Sequence, residues 1–253
     1  MQTIIYNLLN KFFMNEVENE IIKYLENRKK IIFDIGCYKG NFTKNFLKQE
    51  KRLEYKSSFY MFDPNPNVKK YINPILENDQ IKYFDIAFDN TNAQKKFFLN
   101  NFFEPSGSSL SAIIKDDKRW VKTRKIFMKM VQPFNKIKDF TEISVKTKTL
   151  DTFCKENNIS HIDLLKIDAE GNEENILLGA KELLKENKIH CIYVEIAETK
   201  SNYNSKENTI INYLKNYNFE LKTSFSIKSF SFLSNLKATD NIFINVGFIK
   251  YPF

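Results

Sequence analysis

From Ile31 onward the chain alternates short apolar runs with stretches whose apolar residues recur at helical spacing. This alternation constrains the fold more than any other feature, because a strand that is apolar on both sides must be covered on both sides. The arrangement that satisfies it is a parallel sheet flanked by helices. Strands are predicted at residues 31–35, 59–62, 81–86, 162–167, 189–196, 219–225 and 241–249, and helices at 41–49, about 68–76, 173–186 and 206–217. Residues 96–99 read as an extra strand after the third. The sixth and seventh runs follow one another with no helical pattern between them, so the sheet is expected to end in a hairpin with an antiparallel last strand. The predicted fold class is α/β, a seven-stranded, mostly parallel sheet with helices on both faces.

Two segments stand outside the alternation. Residues 1–30 read as an N-terminal helical extension, with Val17, Ile21, Ile22 and Leu25 on one stripe. Residues 100–150 form an insertion between the third and fourth strands, containing Trp120, the basic run KDDKRWVKTRK and an aromatic stretch over 127–134. An insertion of that length in a compact domain is usually functional, and this one reads as a substrate-side lid. With 253 residues, no internal repeat and no low-complexity linker, a single domain is the economical expectation.

The 39 Lys and Arg residues outnumber the 31 Asp and Glu, for a net charge of +8, but the two signs are interspersed. That pattern suits a solvated Lys-rich surface better than a nucleic-acid-binding tail; attraction to an anionic substrate or membrane surface is the alternative. Cys37, Cys154 and Cys191 are scattered, without the spacing of a disulfide framework or zinc site, and point to a reducing compartment. No run approaches the roughly 18 apolar residues of a membrane span. The N-terminus lacks a secretory pattern, so a cytoplasmic location is expected.

Chemistry-bearing residues gather where predicted strands end, the edge at which open α/β sheets bind ligands. In IIFDIGCYKGNF the first strand ends in Asp34 and turns through Gly36 into a helix after Gly40. Glycines there allow a ligand to meet bare backbone. The dinucleotide fingerprint G-x-G-x-x-G is absent, and the looser spacing suits S-adenosylmethionine, which has no pyrophosphate, better than a nicotinamide cofactor. The second strand ends FDPNP, where Asp63 stands 23 residues after Gly40 and can accept both ribose hydroxyls. The third ends FDIAFD, which puts Asp85 or the backbone at Ala87 beside the adenine. The fourth ends KIDAEGNE, with Asp168 and Glu170 able to orient a substrate hydroxyl and take its proton. Glu195, near the tip of the adjacent fifth strand, could join Asp168 in holding Mg²⁺; neutralisation by Lys166 is the alternative. His161 and His190 lie at the opposite ends of their strands and read as structural.

Taken in order, these stretches resemble FkbM-type methyltransferases. The resemblance rests on Asp34-Ile-Gly36-Cys-Tyr-Lys-Gly40, Asp63-Pro64-Asn65-Pro66, Ser106-Gly107-Ser108-Ser109-Leu110, Thr149-Leu150-Asp151-Thr152-Phe153, and Lys166-Ile-Asp168-Ala-Glu170-Gly171 followed by Ile176-Leu-Leu-Gly179. Five of the six glycines in the chain fall inside it. Asp63 stands where Glu is commoner in the family, keeping the charge with a shorter reach. The resemblance implies a Rossmann-like fold, S-adenosylmethionine as cofactor, and O-methylation of a sugar, glycan or secondary metabolite. The alternatives are a non-catalytic module that binds the cofactor or a glycan, and a nicotinamide-dependent oxidoreductase.

Overall fold

The computed structural model describes residues 16–26, 28–50, 56–101, 108–111, 121–122, 125–126, 139–199, 205–227 and 236–248. In chain order its strands are β1 (Ile31–Ile35), β2 (Ser58–Phe62), β3 (Ile81–Phe84), β4 (Ala87–Phe88), β5 (Ala93–Asn100), β6 (Phe140–Lys148), β7 (Ile162–Ile167), β8 (Ile189–Thr199), β9 (Phe219–Ile227) and β10 (Leu236–Asn245). Seven of them form one sheet in the order β3-β2-β1-β7-β8-β10-β9. All pairs from β3 to β8 are parallel, and β10 runs antiparallel to both neighbours. The chain moves outward from β1 through β3, then returns to the other side of β1 with β7. The strand order therefore reverses between β1 and β7, where ligands of such sheets sit.

Alternate residues of each strand face opposite layers. Ile32, Met61, Leu164 and Tyr193 pack with Val17 and Ile21 of α1 (residues 16–24) and with Phe42 and Phe46 of α2 (Asn41–Glu50). Phe33, Phe62, Leu165 and Val194 face the other layer, against α4 (Leu150–Glu156), α5 (Glu173–Leu178), α6 (Lys181–Lys185) and α7 (Ser205–Lys215). In that layer the Phe153 ring stands edge-on to Phe33, Phe62, Phe84 and Phe88 at centroid distances of 5.0–5.9 Å. The Val17 and Ile21 stripe of the N-terminal extension is buried as its spacing predicts.

Two predicted helices are broken, each for a visible reason. The one over 68–76 contains Pro74, whose missing N–H limits it to α3 (Lys69–Ile72) between two 3₁₀ turns. The one over 173–186 divides at Gly179, where Asp89 and Asp151 intrude. A Cβ on Gly179 would come within 2.3 Å of the Asp89 carbonyl oxygen. The Asp151 carboxylate accepts from the N–H groups of Glu182 and Leu183 at 2.9 and 3.0 Å, capping α6 as a separate helix.

Part of the 100–150 insertion is regular structure rather than lid. β6 pairs antiparallel with β5 and parallel with β4, making a three-stranded sheet that incorporates the extra strand expected near 96–99. Trp120 and residues 127–134 lie outside the described residues, as do 1–15. Among the described residues no helix is long and apolar enough to cross a membrane.

Candidate active site

β1 and β7 meet in parallel register with Asp34 beside Lys166. Both side chains are buried, Asp34 completely, and Lys166 Nζ lies 3.0 Å from Asp34 Oδ1. The same ammonium reaches the Gly36 carbonyl at 3.1 Å and Asp168 Oδ2 at 3.4 Å. Burial disfavours the charged ammonium, yet Asp34 and Asp168 outweigh it and hold the pKa above the ordinary lysine range. Thr43 of α2 donates to the other Asp34 oxygen at 2.8 Å. One buried cation thus ties the glycine turn to the end of β7.

Gly36 adopts φ +71°, the left-handed region, and a Cβ there would lie 1.8 Å from the Asp168 carbonyl oxygen. Its N–H donates to the Phe62 carbonyl at 2.9 Å, so β1, β2 and β7 converge on this one turn. Asp63 follows β2 with its side chain almost wholly buried, accepting from Tyr38 N–H at 3.1 Å and Asn65 N–H at 2.9 Å. Each carboxylate oxygen thus takes one backbone donor and keeps a lone pair for a hydroxyl. Burial pushes the Asp63 carboxyl up to about 6 despite those bonds.

Gly36, Asp63 and Asp168 line a cleft with about 690 Å³ of empty space, open solvent included. Phe62, Ile86, Ala87 and Phe88 give it an apolar side able to take a planar base. Phe97 of β5 and the segment 108–110 close it from the small sheet. At the β7 tip, Glu170 and Gly171 both have positive φ, +51° and +108°, turning the chain sharply between Asp168 and α5.

The sequence-predicted residues therefore divide. Gly36, Asp63, Ala87, Asp168 and Glu170 line the cleft. Asp34 does not reach it, being committed to Lys166 and Thr43. Gly40 has φ +69° and faces Ile75 and Met61 in the core. Asp85 is exposed and pairs with Lys69 at 3.0 Å. His161 is buried beside Asp163, away from the cleft as expected. Lys166, expected as the alternative that neutralises the carboxylates, bridges Asp34, Gly36 and Asp168, while Tyr38, Asn172 and Ser108 add walls that local spacing does not single out as lining.

A sequence profile of the methyltransferase FkbM domain matches residues 34–221. The chain belongs to the FkbM methyltransferase family. It is 28% identical over 193 residues to the 2-O-methyltransferase NoeI of Sinorhizobium fredii, covering 72% of this chain and 70% of that protein. Among solved structures, the FkbM methyltransferase of Methylobacillus flagellatus aligns with a TM-score of 0.49 at 11% identity, over 86% of this chain. This chain spans 44% of the length of that one. The N-methyltransferase NodS of Bradyrhizobium japonicum aligns with a TM-score of 0.46 at 9% identity, over 92% of this chain and 96% of that one.

As a member of this family the protein is an S-adenosylmethionine-dependent methyltransferase, and its cleft fits the cofactor. The residues that would hold it are the bare turn at Gly36, the buried Asp63 carboxylate, which could accept ribose hydroxyls, and the apolar wall of Phe62, Ile86, Ala87 and Phe88, which could take the adenine. An Asp63→Asn variant keeps one acceptor for the local turn but loses the charge. It is expected to weaken S-adenosylhomocysteine binding about 10- to 100-fold, the scale of one or two charge-assisted bonds, as read by calorimetry. An unchanged Kd would confine Asp63 to holding its turn.

The residues do not fit a divalent cation. Lys166 already opposes Asp168, and among the described residues no three Asp, Glu, His or Cys side chains are disposed to hold a metal. Glu195 stands opposite Asp240 in the β8–β10 pairing. Burial, with Asp168 next in weight, holds the Glu195 carboxyl well above the usual range. Burial likewise raises Asp240 to about 7, although Tyr193 donates to it at 2.8 Å. Glu18 on α1 is also raised by burial to about 7.

For these carboxyls the folded state binds more protons than the unfolded one between the ordinary carboxylate range and their raised values. For Asp240 and Glu18 this contribution to stability is thus present at low pH and lost as pH rises through about 7. The melting temperature should fall between about pH 6 and pH 8.5, and Asp240→Asn should recover about 3 °C or more at the higher pH, on the order of 1 kcal/mol. A flat melting profile over that interval would contradict the burial of these groups as acids.

Proposed function

We propose that this FkbM methyltransferase is an O-methyltransferase acting on a hydroxyl of a sugar, a glycan or a related secondary metabolite. The observation that carries the reading is Asp168, a carboxylate at the β7 tip that faces the cleft. Protein surrounds it on most sides while 32% of the side chain stays accessible. Burial raises its basicity, and Lys166 opposes that rise. A carboxylate so balanced is a better proton acceptor than an exposed one. The similarity to NoeI, itself a 2-O-methyltransferase, supports oxygen as the acceptor element.

The bound cofactor supplies a methyl group already activated on sulfur. The protein's residues then align the acceptor and remove its proton. Asp168 is placed to take the proton that the acceptor hydroxyl gives up on methylation. Glu170 beside it orients the acceptor through further hydroxyls. The three cysteines are buried free thiols, which supports a reducing, cytoplasmic setting.

The test is incubation with methyl-labelled cofactor and a panel of mono- and oligosaccharides, phenols and amines. A methyl ether on a sugar hydroxyl, located by NMR, is the expected product. Label transferred to amines alone would overturn the reading.

A further inference from the structure

The small sheet grips the turn after β7 at two points. Ser109 is buried, and its backbone pairs with Phe98 of β5 through N–H···O bonds of 2.8 and 3.2 Å. Its hydroxyl crosses to the main sheet and donates to the Ala169 carbonyl at 2.8 Å, while accepting from Ser111 N–H at 3.0 Å. Three residues on, Asn172 Nδ2 donates to the Phe88 carbonyl of β4 at 3.0 Å. Between these anchors the chain passes through Glu170 at φ +51°. A non-glycine residue there is strained and persists only where its surroundings over-determine it.

We propose that Ser109 is a positioning residue for methyl transfer. Its hydroxyl pins the Ala169 carbonyl to the small sheet and so sets the turn that presents Asp168 and Glu170 to the cleft. Asp168 and Glu170 flank Ala169 in the chain, so a rotation of that one peptide moves both carboxylates. Ser108 serves the other wall: its hydroxyl accepts from Asn100 N–H at 2.9 Å and from Asn65 Nδ2 at 3.3 Å, and Asn65 N–H holds Asp63. Two adjacent serines thus attach the small sheet to the cofactor-side loop and to the transfer-side loop. The proposal rests on Asp168 as proton acceptor, and its test separates the two claims.

Hydrogen exchange of the amides of residues 165–173, measured with S-adenosylhomocysteine bound, reads the turn without any methyl acceptor. Ser109→Ala is expected to raise exchange at 169–172 about 10-fold or more, as a turn freed from its anchor opens locally. With a sugar acceptor from the panel, kcat should fall about 10-fold or more while the cofactor KM stays within about threefold, because misplaced groups cost rate before binding. Ser109→Thr, which keeps the hydroxyl, should restore both, and the exposed Ser144→Ala on β6 should change neither. If the alanine variant does not fold, Ser109→Cys, a near-isosteric weak donor, takes its place in the same measurements. Wild-type exchange and kcat without the hydroxyl, or failure of threonine to rescue, overturns the proposal. Full activity in Asp168→Asn alongside raised exchange in Ser109→Ala would instead remove Asp168 as acceptor and leave the anchor standing.

Discussion

A Gly36→Ala variant is expected to bind no measurable S-adenosylhomocysteine and to melt below the wild-type protein. The smallest side chain suffices, because its Cβ would stand 1.8 Å from the Asp168 carbonyl oxygen and 2.9 Å from the carbonyl carbon. Cβ atoms do not approach other heavy atoms within 3.0 Å, so the tips of β1 and β7 would have to part by about an ångström. Parting them breaks the bond from Asp168 N–H to the Ile35 carbonyl, 3.1 Å long, and pulls the Gly36 carbonyl from Lys166. The left-handed backbone adds strain of roughly 1–2 kcal/mol for any L-residue. Gly247→Ala is the matched control, since the atoms nearest its Cβ would be side-chain atoms of Asn187 and Asn218, at 3.1 Å or more. Calorimetry showing a wild-type Kd for Gly36→Ala would move the cofactor site away from this turn.

The second large effect is expected at Asp168. Asp168→Asn keeps the shape but cannot accept a proton, and methyl transfer should drop by about 10²-fold or more, the usual scale for lost acid–base assistance. Affinity for S-adenosylhomocysteine should stay within about threefold, because Lys166 remains held by Asp34. In the wild-type enzyme turnover should decline as pH falls through the raised Asp168 pKa, so the inflection lies above the ordinary aspartate value of about 3.9. Activity should survive EDTA. Loss of activity on chelation, restored by Mg²⁺, would show that a cation rather than Lys166 balances the carboxylates.

The strands were legible where burial is two-sided. The bounds of β1 and β7 coincide with the predicted runs, since all of Ile162–Ile167 is buried and a turn residue follows each strand. β6 was missed because it is buried on one side only. Its Ile143, Val145 and Thr147 alternate with the polar Glu142, Ser144, Lys146 and Lys148, a period-two signal concealed within a segment read as lid. The interruption at Gly179 could not be read locally, because its cause, the Asp151 carboxylate, lies far upstream in the chain. The site followed the same division. Asp63 and Asp168 announce themselves as carboxylates at strand ends, whereas Asp34 carries the same signature and is spent on an internal ion pair. What separates them is register: Asp34 sits beside Lys166 in the β1–β7 ladder, a long-range fact invisible to local spacing. Ser109 was visible only as part of a motif, without a partner to give it meaning.

The placement of β10 also governs the order in which this protein can assemble. β10 is wedged between β8 and β9, yet it follows both in the chain. Until Leu236–Asn245 emerges during synthesis, β8 presents a bare edge of unpaired N–H and C=O groups along its length, Glu195 among them. Strand β9 meanwhile has no neighbour to pair with. The half of the sheet that carries the transfer chemistry thus closes late, by inserting a strand into a gap rather than adding one to a border. Nascent chains halted before β10 would be prone to edge-to-edge association, and a chaperone covering that open seam would prevent it.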